Sequence, residues 1–260
     1  MKMRRIKKYN TLILILVLIS VLCIVGAVIL LILSDRGDNN TGTELQKENT
    51  HESLSLVCSD PDSIPDYSSE DYIILNDGIP CFNEWDIENI TGERYSELDD
   101  LGRCGVAYAM LDRTMMPTGE REDIGHIKPT GWVQNKYEGI VDSQPPYLYN
   151  RCHLIAYALT GQNANERNLI TGTRYMNATT QLYWEKKVMR YLDDSDGHVL
   201  YRVTPYFMGN ELLARGVEIE AYSVEDKGKG LCFHVFIYNI QPGIELDYVT
   251  GENRVETITK

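Results

Sequence analysis

The chain has 260 residues and carries 38 acidic against 25 basic side chains, a net charge of −13. A balance that acidic counts against broad, sequence-indifferent adhesion to a polyanion through surface charge. Any contact with nucleic acid has to be focused in a cleft.

The first eleven residues hold five cations (Lys2, Arg4, Arg5, Lys7 and Lys8), and residues 12–33 follow as 22 uncharged, mostly apolar positions. As a helix, such a run spans a hydrocarbon core about 30 Å thick. Its basic N-terminal flank predicts a cytoplasmic segment 1–11, a single pass through the cell membrane at 12–33, and an extracellular remainder. A cleaved signal peptide is the rival reading. Against it, the run exceeds the usual signal core of about 7–15 residues, and no small-x-small cleavage site follows. We therefore expect an uncleaved signal anchor. Removing its +5 from the total of −13 leaves the rest at −18.

Residues 34–55 are rich in Asn, Thr, Gly, Glu and Asp and read as a flexible linker. Residues 56–260 suit one compact domain. Five cysteines lie past the apolar run (Cys58, Cys81, Cys104, Cys152 and Cys232), where disulfides can persist, and spacing alone leaves their connectivity open. No Cys-x-x-Cys or His-x-x-x-His pair suggests a zinc site.

Residues 72–75 and 79–82 flank Asn76-Asp77-Gly78 and predict a hairpin. Residues 105–111 predict a strand. Farther on, 199–207, 212–224 and 231–238 are β-rich runs expected to form an antiparallel sheet, with Pro205 limiting where the first can pair. Between these β-rich regions one helix is expected over 178–192. Its wheel gathers Leu182, Trp184, Val188, Met189, Tyr191 and Leu192 on one half, with Glu185 at the centre of that apolar arc. The expected class is α+β.

A carboxylate within a buried stripe must be paired, protonated or bound to a cation. Glu185 is a candidate for metal or water binding, and a buried salt bridge with Arg174 or Arg202 is the alternative. Extended backward, the same helix places Asn177 in the arc, two turns before Glu185 and roughly 12 Å along the axis. Around these residues the local charge reverses: from Asn150 to Tyr191 six cations face two anions. Solvation of a helix face accounts equally well for Lys186, Lys187 and Arg190.

Asn150-Arg151-Cys152-His153, the run from Arg167-Asn168 through Arg174 to Asn177, and Trp184-Glu185 together resemble the DNA/RNA non-specific endonucleases of ββα-metal fold, particularly bacterial DNA-entry nucleases. Leu101-Gly102-Arg103-Cys104 and Lys128-Pro129-Thr130-Gly131-Trp132 resemble that branch as well. The resemblance implies a ββα-metal nuclease with a central antiparallel sheet and a metal-binding helix. By it, His153 is the general base, Asn177 the protein ligand of Mg²⁺ (or Mn²⁺), and Glu185 the holder of a metal-bound water. Asn168 helps position the site, Arg151 neutralises a phosphate, and Arg174 is a further phosphate contact.

Two positions depart from the family pattern, Asn150 for the usual Asp and Cys152 for the usual Gly. Cys152 is a candidate disulfide partner of Cys104; a buried free thiol is the alternative. Asn177-Ala178-Thr179 is formally a glycosylation sequon, and the metal reading requires that it stay unmodified. The resemblance thus implies a membrane-anchored endonuclease acting on DNA, with RNA also open as a substrate. The alternative is a non-catalytic surface DNA receptor of the same fold.

Overall fold

The computed structural model describes residues 64–257. The segments expected to be cytoplasmic, membrane-spanning and linker, together with Cys58, lie outside the described residues. Among the described residues no helix is long and apolar enough to cross a membrane.

The core is a six-stranded antiparallel sheet. In chain order its strands are β1 (Tyr72–Ile74), β2 (Gly92–Tyr95), β3 (Ala107–Leu111), β6 (Val199–Tyr206), β7 (Gly216–Ser223) and β8 (Cys232–Tyr238), arranged in space as β1-β8-β7-β6-β3-β2. A second, two-stranded pair is formed by β4 (Tyr149–His153) and β5 (Leu169–Thr173), and a third by β9 (Ile244–Leu246) and β10 (Asn253–Val255). Two short helices, α1 (Glu84–Asn89) and α2 (Tyr157–Thr160), accompany the main helix α3 (Gln181–Asp194).

Strand alternation decides what each sheet face does. Val199, Tyr201 and Val203 of β6, Val217, Ile219 and Ala221 of β7, and Phe233, Val235 and Ile237 of β8 all enter one core with Trp184, Val188 and Leu192 of α3. Their neighbours point to the opposite face, which is unusually polar: Arg202, Glu218, Glu220 and His234 are all buried. Each is compensated there. Arg202 pairs with Glu220, His234 with Glu218, and Glu220 also accepts the Cys81 N–H at 2.7 Å. Phe82, stacked on Arg202, and α1, held by the Asn83–Asp86 capping box, help cover this side.

The expected strands at 105–111, 199–207, 212–224 and 231–238 are present with ends trimmed by a few residues. Pro205 lies beyond Val203, where the pairing of β6 with β3 stops, so its missing N–H costs that ladder nothing. The expected hairpin at 72–82 does not form. Asn76, Asp77 and Gly78 do turn, with φ of 45°, 53° and 78°, but β1 pairs with β8, and residues 79–82 run on as an irregular strap. The turn dipeptide fixed the local reversal; the long-range partner of β1 was decided by the sheet edge that β8 offered.

The β4–β5 pair is tied to the main sheet by Asn239, fully buried just past β8. It accepts the Thr173 N–H at 2.9 Å and donates to the carbonyls of Thr171 and Ala214. Thr173 Oγ1 accepts the Met176 N–H at 3.0 Å, which starts the helical segment directly after β5. The chain therefore runs strand, strand, helix through residues 149–194.

Candidate active site

His153 is the last residue of β4, and 6% of its surface is exposed. The turn that follows is held by Asn168, whose Oδ1 accepts the Ile155 N–H at 2.8 Å and whose Nδ2 donates to the Ile155 carbonyl at 3.0 Å. Asn168 is fully buried and both ends of its amide bond Ile155, so it positions the segment behind His153 rather than facing a substrate. Asn168→Ala should leave both Ile155 groups unpaired and lower stability by about 2–4 kcal/mol in thermal unfolding. An unchanged Tm with lost activity would instead make Asn168 a direct contact.

The imidazole has two partners. Nε2 lies 2.9 Å from the Asn163 carbonyl, an acceptor only, so Nε2 carries the proton; Nδ1 then offers its lone pair and lies 3.3 Å from an Arg121 nitrogen. Burial, and secondarily the Arg121 charge, hold the His153 pKa down at about 4. The ring is neutral near pH 7, with its basic nitrogen against Arg121.

Arg121 in turn lines a cleft of about 650 Å³. Arg121, Arg151 and Arg174 line it together with Asn150 and Asn177, and no carboxylate does. Arg151 stacks over Trp132 at 4.4 Å and donates to the carbonyls of Gly125 and Ile127, so it pins the loop as well as charging the cleft. Arg174 forms no ion pair among the described residues. The net-acidic chain thus concentrates positive charge in one cavity.

Asn177 reaches the cleft through a change in helix geometry. The segment opens with a π-turn, Met176–Thr180, before α3 begins. A regular wheel would place Asn177 in the buried arc with Glu185; the wider π-turn resets the phase, and Asn177 is half-buried against the cleft while Glu185 stays buried at 7% exposure. Glu185 makes no ion pair among the described residues. Arg202 is committed to Glu220 on the other face of the sheet, and Arg174 lines the cleft, so the salt-bridge alternative for Glu185 is not realised. Its partner is the Gln181 amide, at 2.8 Å. Burial pushes its carboxyl up to about 7, with the Gln181 bond opposing.

Cys104 and Cys152 are both free, so the disulfide between them is not present. The Cys104 thiol donates to the Leu169 carbonyl at 3.1 Å, and the Cys152 thiol to Gln181 Oε1 at 3.0 Å. Cys81 is disulfide-bonded, to none of the other described cysteines. It lies beside Glu220 and His234, but a bridged sulfur is not a thiolate ligand, and those two carry the structural pairs described above. Cys152 needs a small residue diagonally across on β5, where Gly172 faces Asn150: a Cβ on Gly172 would lie 2.6 Å from Cys152 Cβ. Gly172→Ala should cost about 1–3 kcal/mol in chemical denaturation, and Cys152→Gly in the same chain should restore most of it. An additive loss in the double variant would contradict this contact.

Arg121, Asn163 and Gln181 carry contacts at the site that the sequence did not single out. Arg121 sits in an acidic, aperiodic stretch, and Gln181 falls beside the wheel's apolar arc without a charge to mark it.

The sequence pattern of the DNA/RNA non-specific endonucleases matches residues 85–225, more than half of the chain. The chain belongs to that family. Among solved structures it is similar to NucA from Streptococcus agalactiae with magnesium bound, at 30% identity and a TM-score of 0.61, covering 70% of this chain and 86% of that one. It is also similar to Sda1 nuclease with bound zinc, at 26% identity and a TM-score of 0.59, covering 72% and 97%. A deoxyribonuclease of Streptococcus dysgalactiae subsp. equisimilis is 33% identical over 196 residues, a match that takes in 60% of this chain and 59% of that protein's length.

Proposed function

We propose that the chain is a membrane-anchored, metal-dependent endonuclease that hydrolyses phosphodiester bonds of DNA outside the cytoplasm, with RNA admissible on the same phosphate contacts. The observation that carries this reading is a cleft lined by three arginines and no acid, one of which, Arg121, contacts the basic nitrogen of a neutral His153 behind it. The uncharged run 12–33 behind five cations supports the anchoring.

A divalent oxygen-seeking ion suits the residues present. Asn177 offers an amide oxygen at the cleft, and Glu185 is a buried carboxylate with a raised pKa and, among the described residues, no cation of its own. Asn177 would hold Mg²⁺ or Mn²⁺, with Glu185 holding one of its waters; when bound, the ion supplies charge stabilisation at phosphorus and at the leaving oxygen. The protein's own part is to bind and to move a proton. Arg174 and Arg151 receive the phosphates. A phosphodiester in the cleft also gives Arg121 a stronger partner than a neutral imidazole, and its withdrawal uncovers Nδ1. Nδ1 then takes a proton from water as the water oxygen bonds to phosphorus and the bond to the leaving ester oxygen breaks. The Nε2–H bond to the Asn163 carbonyl steadies the imidazolium that forms.

The cleft is tested by binding short duplex DNA in the presence of a chelator. Arg174→Ala should weaken binding uniformly across sequences and reduce the slope of log affinity against log salt by about 1. An unchanged affinity and slope would place the substrate elsewhere.

A further inference from the structure

Gln181 is 1% exposed and its amide is fully engaged. Nε2 donates to the His153 carbonyl and to Glu185 Oε1, both at 2.8 Å, while Oε1 accepts the Cys152 thiol at 3.0 Å. Because a carbonyl only accepts, the His153 contact fixes the nitrogen on that side and leaves the oxygen for the thiol. Cys152 is fully buried, and burial pushes its thiol well up, so the S–H remains a donor.

One side chain therefore bridges the strand that ends in the base and the helix that carries the carboxylate. Packing alone does not require this, because an apolar residue of similar length would fill the same space without three directed bonds. Among the described residues Glu185 has no cation partner to orient it, and Gln181, one helical turn before it, donates the hydrogen bond that fixes one of its oxygens. We propose that Gln181 is the positioning residue that sets Glu185 relative to His153, and that Cys152 fixes Gln181 in turn. This rests on the nuclease reading above. It also gives the thiol at 152 a role that neither a disulfide nor a nucleophile supplies.

The test is a double-mutant cycle in the full chain, read as kcat and KM on a defined duplex and as Mg²⁺ affinity by calorimetry without substrate. Gln181→Met should lower kcat about 10–100-fold with KM nearly unchanged, and weaken Mg²⁺ binding by about tenfold. In a Glu185→Gln background the same change should cost less than about twofold in either quantity, because the group it positions is already altered. Cys152→Ala, which leaves both Gln181 donors in place, should cost a few-fold in the wild-type background and nothing beside Glu185→Gln. This second cycle decides the matter if Gln181→Met does not fold. Equal losses in both backgrounds, or an unchanged kcat, would overturn the inference while leaving the nuclease intact. A wild-type chain that neither binds Mg²⁺ nor cuts would overturn both.

Discussion

Replacing His153 by alanine should leave a folded protein that still binds DNA but cuts it about 10²–10⁴-fold more slowly. The magnitude is that of a lost general base, since the three cleft arginines and Asn177 remain in place. The sign of the pH dependence follows from the ring's surroundings. With a pKa held down at about 4, His153 is neutral, and competent to accept a proton, at every pH well above 4. Loss of cleavage by protonation of this group should therefore appear only on strong acidification. The comparison needs plasmid nicking rates beside fluorescence anisotropy for binding. A variant that loses binding and cutting together would mean that His153 holds the cleft in shape instead of acting on water.

Glu185→Gln should separate stability from activity, stabilising the protein above neutral pH while lowering turnover. The carboxyl's pKa rises from 4.5 in the unfolded chain to about 7 in the fold. The folded state thus binds the proton more tightly, and stability falls as pH rises from 4.5 to 7, by about 3 kcal/mol. His153 acts oppositely. Its pKa falls from 6.5 to about 4, the unfolded chain binds the proton more tightly in that window, and stability rises with pH across it by a similar amount. Between pH 4.5 and 6.5 the two slopes offset each other in the wild type. Glu185→Gln removes one of them, so stability should climb steeply with pH up to 6.5 and exceed the wild type at pH 8, by roughly 5–10 °C in Tm. Mg²⁺ favours the ionised carboxylate and should narrow that gap by stabilising the wild type alone. A Glu185→Gln protein less stable than wild type at pH 8 would show that the carboxylate is already compensated in the metal-free protein.

Much of the site was legible because its residues carry marked chemistry in a local run. Glu185 in an apolar stripe, His153 at a strand end and the cations around them are sequence-near, and all lie in the strand–strand–helix segment. Asn177 lines the cleft, a placement the sequence did not show: a wheel assumes one period, and the π-turn at Met176–Thr180 changes it. Arg121 and Asn163 reach His153 from 32 and 10 residues away through loops with no periodicity to read. The expected hairpin failed because Asn76-Asp77-Gly78 specifies a reversal and not a partner strand. Cys104 and Cys152 were matched by motif, whereas bridging depends on where the two thiols point, and each points to a different acceptor. The buried charges of β6, β7 and β8 were likewise invisible, because alternation alone reads Arg202, Glu218 and Glu220 as solvent-facing until a strap is known to cover them.

Hydrolysis of DNA at the arginine-lined cleft is put to the test by the nicking of supercoiled plasmid by the full chain. We expect conversion to open-circular and linear forms in Mg²⁺, abolished by a chelator and by His153→Ala. Plasmid that is bound yet left supercoiled across several divalent metals would contradict it and leave a DNA receptor built on a nuclease fold.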